Sequence, residues 1–169
     1  MFHFINHLLS VIKINKHKIS IEEFDPLAVL DEIHLVLEEE IRNKNAKINY
    51  DSSLRSIRYD RPLFYQILFN LIQNSLKYSA EGRKPVIRIE TEENERELHF
   101  IIRDNGTGIA KEDQEKIFNF YARGNNGLHT DGYGVGLVFV KKVVELFDGK
   151  VWVETEPDKG STFYFSLPR

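Results

Sequence analysis

Strand pairs closed by short hairpins stand on both sides of a helix in the C-terminal half of this chain, and that order excludes most fold classes. Residues 86–90 and 98–103 read as strands around a charged hairpin over residues 91–97. Residues 151–155 and 161–167 read as a second pair around Pro157-Asp158-Lys159-Gly160. Between the pairs, Leu137, Val140 and Val144 recur at helical spacing in a stretch over residues 134–147, with Gly149 placed as its stop. Hairpins make antiparallel neighbours, and the helix between them must cover one face of the sheet they share. The expected fold class is α/β: a two-layer sandwich with a mixed, mostly antiparallel sheet packed on about three helices.

The N-terminal half supplies the other helices. Ile5, Leu8, Leu9 and Ile12 lie at i, i+3, i+4, i+7, so residues 1–20 are expected to be a helical appendage to a domain over residues 21–169. Ile19, Ile21 and Phe24 then suggest a short strand. Asp25-Pro26 is a helix start, a capping carboxylate followed by a proline whose missing N–H costs nothing. Leu30, Ile33, Leu37 and Ile41 line one face of a helix that ends near residues 43–45. Residues 47–50 and 57–59 are candidate strands. Asp60-Arg61-Pro62 opens a second helix in the same way, with Leu68, Leu71, Ile72 and Leu76 toward the core.

Charge and composition close off several functions. Lys and Arg number 23 and Asp and Glu 26, a net charge of −3, which gives no electrostatic reason to expect a nucleic-acid partner. With no cysteine there are no disulfides and no thiolate-ligated metals, and a reducing, cytoplasmic setting fits. The apolar runs are too short for a membrane span, and no signal peptide is visible. Any membrane anchor is therefore expected on another part of a longer parent protein.

The polar motifs sit at the ends of these elements. In Asn70-Leu71-Ile72-Gln73-Asn74-Ser75-Leu76-Lys77-Tyr78, Asn70 and Asn74 are one helical turn apart, and Lys77 and Tyr78 extend the stripe. An amide oxygen suits Mg²⁺, lysine suits a phosphate and tyrosine can pack on a base. Taken alone, the stripe also fits an ordinary exposed face. Asp104-Asn105-Gly106-Thr107-Gly108-Ile109 follows a strand. Its acid can accept a hydrogen bond from an exocyclic amine, and its glycines allow close approach to a ligand, although a plain turn has the same composition. Gly132-Tyr133-Gly134-Val135-Gly136-Leu137 opens the third helix and can bring main-chain N–H groups to phosphates, or can simply be a linker. It fits neither the dinucleotide fingerprint nor a Walker A loop. Residues 123–133 lack hydrophobic periodicity and have the composition expected of a mobile loop.

In this order the motifs resemble the boxes of the catalytic ATP-binding domain of two-component sensor histidine kinases, a Bergerat-type fold shared with gyrase, the Hsp90 chaperones and the MutL proteins. Ile117-Phe118-Asn119-Phe120-Tyr121-Ala122-Arg123-Gly124 is similar to the family's F box, and Gly160-Ser161-Thr162-Phe163 to its last Gly-Thr-Phe element. The resemblance covers residues 25–169 and implies ATP and Mg²⁺ as cofactors. It implies Asn74 as the metal ligand, Lys77 on phosphate, Tyr78 against adenine, and Asp104 on the adenine amino group. Gly106, Gly108, Gly134 and Gly136 would shape the pocket, and residues 118–133 would be the ATP lid. Arg123 would reach the γ-phosphate and join Asn74 and Lys77 as a catalytic residue, with Thr162 near the base. Asn70, Ile109, Phe118, Tyr121, Gly132, Val135 and Leu137 complete the expected nucleotide contacts.

The resemblance also separates subfamilies. Members that hydrolyse ATP place a water-activating glutamate where this chain has Asn70, and an amide is no general base. The expected acceptor is a histidine on a separate dimerisation domain, relaying to a response-regulator receiver domain. None of the chain's own histidines has the acceptor context of a following acid and nearby proline. Residues 1–20 are similar to the tail of the family's dimerisation hairpin, so homodimerisation is expected only of the full-length kinase. Rival expectations are an ATPase clamp of the gyrase and chaperone type, a serine kinase of the anti-sigma-factor type and a non-catalytic binding module.

Overall fold

The computed structural model describes residues 18–51, 54–119 and 136–169. Residues 1–17 of the expected N-terminal helix and the loop over residues 123–133 lie outside the described residues, as do the first residues of the third helix; residues 18–20 are not helical.

Both Asp–Pro signals start helices. Asp25 Oδ1 accepts the Leu27 N–H at 2.9 Å and opens α1 (Pro26–Val36). Asp60 Oδ1 accepts the Leu63 N–H at 3.1 Å and opens the central helix, Arg61–Lys77. The other Asp60 oxygen accepts the Ser20 N–H at 2.9 Å, so one fully buried carboxylate caps the helix and fastens the incoming chain. That chain is β1 (Ile21–Phe24), paired antiparallel with β3 (Ile57–Asp60) in a small two-stranded sheet.

The helix expected to run unbroken from residue 25 is interrupted at Leu37. α1 stops at Val36 and α2 (Glu38–Asn43) follows, with Leu37 between them at φ −96°, ψ 6°. Glu38, Glu39 and Glu40 fill the first turn of α2, where the helix dipole favours negative charge; inside one long helix they would gain nothing. α2 ends on Asn45 in a left-handed conformation (φ 51°), with the Ala46 N–H on the Ile41 carbonyl at 2.9 Å. The central helix is accordingly α3.

The main sheet has five strands in the order β2-β4-β5-β7-β6. They are β2 (Lys47–Tyr50), β4 (Val86–Glu93), β5 (Glu97–Asp104), β6 (Val151–Glu156) and β7 (Gly160–Pro168). Only β2 and β4 run parallel, so the expected mixed and mostly antiparallel sheet is found. The first hairpin is tighter than expected, because β4 and β5 extend into the charged run. The Asn94 side-chain oxygen closes the turn by accepting the Arg96 and Glu97 N–H groups, each at 2.9 Å.

Phe64 of α3 is the hub of the core and has no exposure to solvent. Its ring lies 5.2 Å from Phe100 and 5.4 Å from Phe24, and Phe100 stacks on its cross-strand partner Phe165 at 4.8 Å. Burying each such ring stabilises the fold by about 2–3 kcal/mol. α4 (Gly136–Leu146) lays Val140, Val143 and Val144 into the same core beside α3. Its left-handed stop is Asp148 (φ 59°) rather than Gly149, whose N–H instead returns to the Val144 carbonyl at 3.0 Å. No helix among the described residues is long and apolar enough to cross a membrane.

Candidate functional site

The C-terminal end of α3 meets the end of β5 and the β6–β7 turn, and Asp104 joins all three. Its Oδ1 accepts the Gly106 N–H at 2.8 Å and the Ser161 N–H at 3.2 Å. Its Oδ2 accepts the Ser75 hydroxyl at 3.3 Å. Burial pushes the Asp104 carboxyl above its ordinary value, and the hydrogen bonds from Gly106, Ser161 and Ser75 pull the other way without cancelling the shift. Oδ1 is thus spent on two main-chain donors, while Oδ2 retains acceptor capacity.

The turn after Asp104 is bound to its surroundings on every side. The Thr107 N–H donates to the Tyr78 carbonyl at 3.0 Å, and the Thr107 carbonyl accepts the Asp158 N–H at 2.7 Å. The Ile109 N–H donates to Thr155 Oγ1 at 2.9 Å. Arg83 Nη1 donates to the Asn105 carbonyl at 2.8 Å and the Asp158 carbonyl at 3.0 Å. Side chains larger than hydrogen do not fit here. A Cβ on Gly106 would stand 2.5 Å from the Tyr78 carbonyl oxygen, and Gly108 has φ +67° with the Glu156 carbonyl 2.0 Å from where a Cβ would be.

The polar stripe of α3 divides by burial. Asn70 is 7% exposed. Its amide nitrogen donates to the Gln66 carbonyl at 2.7 Å, and its Oδ1 faces Gly136, where a Cβ would lie 2.7 Å away. It is therefore packed between α3 and the start of α4. Asn74 and Lys77 are half-buried further along the helix, and Tyr78 is 47% exposed. The Lys77 ammonium lies 5.4 Å from the Tyr78 ring centre. Ile109, Phe118 and Leu137 are partly buried against the core. Tyr121, Arg123, Gly132, Gly134 and Val135 lie outside the described residues.

Thr162 pairs with Arg103 and Glu154, one residue out of step with Asp104, so strand alternation turns its side chain to the sheet face opposite the carboxylate. Ser161 takes the position beside Asp104, and its hydroxyl bonds Thr155 Oγ1 at 2.9 Å. The signal was present in the sequence: Phe163, Phe165 and Leu167 mark the inward face of β7, and counting back by two reaches Ser161. Ser75, Thr155 and Arg83 were also missed. Ser75 has a local signal, a small hydroxyl residue beside apolar neighbours on the core side of α3; the other two depend on tertiary contacts.

Comparison with known proteins gives a consistent picture. Residues 59–169 match the family model described as histidine kinase-, DNA gyrase B-, and HSP90-like ATPase. The adaptive-response sensory kinase SasA of Synechocystis sp. is 36% identical over 149 residues, 85% of this chain; the chain spans 38% of SasA's own length. The catalytic domain of histidine kinase ThkA superposes with a TM-score of 0.70 at 28% identity, covering 88% of this chain and 95% of that one. Full-length ShkA, solved in complex with AMPPNP, superposes with a TM-score of 0.82 over 96% of this chain and 34% of its own; at 23% identity it shows the fold alone.

Proposed function

The chain belongs to the histidine kinase-, DNA gyrase B- and HSP90-like ATPase family, and within it we propose the ATP-binding catalytic domain of a sensor histidine kinase. It hands the γ-phosphoryl group of MgATP to a histidine on a separate dimerisation domain, from which the group passes to a response-regulator aspartate. The proposal extends to a cytoplasmic setting, to residues 1–20 as the tail of the dimerisation hairpin, and to homodimerisation in the full-length kinase. The likeness to SasA and to the ThkA catalytic domain supports the kinase reading.

The observation that carries the reading is Asn70. Hydrolytic relatives need a carboxylate at this position to activate water; here the group is an amide, its nitrogen held by the Gln66 carbonyl and its oxygen packed on Gly136. A neutral imidazole brings its own lone pair and needs no such base. Phosphoryl transfer rests mainly on positioning and charge neutralisation, so an amide at this position suits a donor that waits for a histidine.

The remaining residues bind and orient. Asp104 Oδ2 accepts the adenine amino group, Tyr78 lies along the base, and Lys77 contacts phosphate. The Asn74 amide oxygen fits Mg²⁺, a hard ion that takes few protein ligands and completes its shell with phosphate and water. Among the described residues there is no group of three or more acidic or histidine side chains that could hold a metal. When bound, Mg²⁺ would neutralise triphosphate charge. Arg123 is assigned to the γ-phosphate.

The test is transfer from γ-labelled ATP to an added histidine-bearing dimerisation domain. An acid-labile, base-stable label on that domain is expected, and Asn74→Ala should abolish it. An acid-stable label on a serine-bearing partner would instead make the chain a serine kinase.

A further inference from the structure

Ser75 stands inside the polar stretch over residues 70–78 but carries none of the roles assigned there; it is 3% exposed and lies directly after Asn74 on α3. Its hydroxyl is 3.1 Å from the Leu71 carbonyl and 3.3 Å from Asp104 Oδ2. The first contact is the ordinary back-bond of a helical serine. The second reaches across to β5, and a carboxylate is the stronger acceptor.

We propose that Ser75 is a positioning residue that sets nucleobase specificity by fixing the one oxygen of Asp104 left free to read the base. The inference rests on the catalytic-domain reading and adds to it. Gly106 and Ser161 both donate to Oδ1, so a base amine must use Oδ2. Among the described residues, Ser75 is the side chain that donates to Oδ2. The terminal torsion of an aspartate is broad, so a donor on each oxygen defines the carboxylate plane better than donors on one alone.

The same contact links recognition to chemistry. Ser75 and Asn74 are consecutive on one rigid helix, so the hydroxyl that orients the base reader and the amide assigned to the metal move together. A base seated correctly on Oδ2 therefore fixes the triphosphate relative to α3. A base that offers an oxygen in place of the amine, as inosine and guanosine nucleotides do, meets an oriented acceptor and is rejected.

The test is calorimetric binding of ATP, ITP and inorganic triphosphate to the unmodified chain and to Ser75→Ala, in Mg²⁺ buffer. Alanine is the best helix former, so the variant is expected to keep its fold, and a thermal melt verifies this. The expected result is an ATP affinity lowered about tenfold, the size of one charge-assisted hydrogen bond. ITP and triphosphate should change less than about twofold, and Ser75→Thr, which keeps the hydroxyl, should restore ATP preference. Equal losses for ATP, ITP and triphosphate would make Ser75 a packing residue and overturn the inference alone. Unchanged ATP preference in Ser75→Ala would do the same. Failure of the unmodified chain to bind ATP would overturn the catalytic-domain reading together with the inference.

Discussion

The Tyr59 ring packs on Phe147 with centroids 4.1 Å apart, and its buried hydroxyl has no hydrogen-bond partner among the described residues. Burial, and to a lesser degree the Asp60 charge, push the phenol pKa up. A hydroxyl desolvated without a partner costs stability, so Tyr59→Phe is expected to raise unfolding free energy by about 1 kcal/mol in a denaturant titration; a loss of that size would mean that the hydroxyl has a partner. Asp104 gives a pH signature of the opposite kind from a salt-bridged acid. Its folded pKa is raised above the unfolded value, so its contribution to stability is fullest below the unfolded pKa and is lost as pH rises through the folded one. Nucleotide binding should respond in the reverse direction. On the proposed role of Asp104 as acceptor for the adenine amine, protonation replaces the lone pair it offers, so ATP affinity should fall as pH drops through the raised Asp104 pKa, while triphosphate affinity should not follow. Binding isotherms for both ligands across that window decide it, and Asp104→Asn should remove the difference.

The elements show where sequence pattern is sufficient and where it is not. α3 was legible at its start because Asp60 and Pro62 encode a cap and a first turn locally, and the structure starts the helix at Arg61. The cap's second task, holding Ser20, joins residues 40 apart and leaves no local signal. Asp60→Ala should therefore cost about 2 kcal/mol, the upper end for a lost cap, because it also leaves the Ser20 N–H without its acceptor. A cost of only a few tenths, measured by thermal melting, would show that water replaces the carboxylate. The break at Leu37 was missed because apolar spacing continues through it, and the extra length of β4 and β5 because their glutamates resemble a loop. Asp148 rather than Gly149 in the left-handed position reflects a preference that glycine and short polar side chains share. Ser161, one residue before Thr162, donates its N–H to Asp104, and one residue of strand phase moves a side chain to the other sheet face.

At the scale of the whole molecule, the sheet order β2-β4-β5-β7-β6 sets β5 beside β7, so that Asp104 at the end of β5 meets Ser161 at the start of β7 and Ser75 of α3. The architecture was legible because hairpins on both sides of a helix leave few alternatives. The sequence offers the candidate site as a set of boxes; the bonding of Ser75, Thr155 and Arg83 within it arises from contacts that only the fold creates. The central claim is that this assembly holds MgATP without spending it on water. The most direct measurement is calorimetry of ATP binding to the chain with and without Mg²⁺, with phosphate release followed in the same sample. Mg²⁺-dependent binding with negligible phosphate release is the predicted result. Steady phosphate release by the isolated chain, or no binding at all, would contradict it.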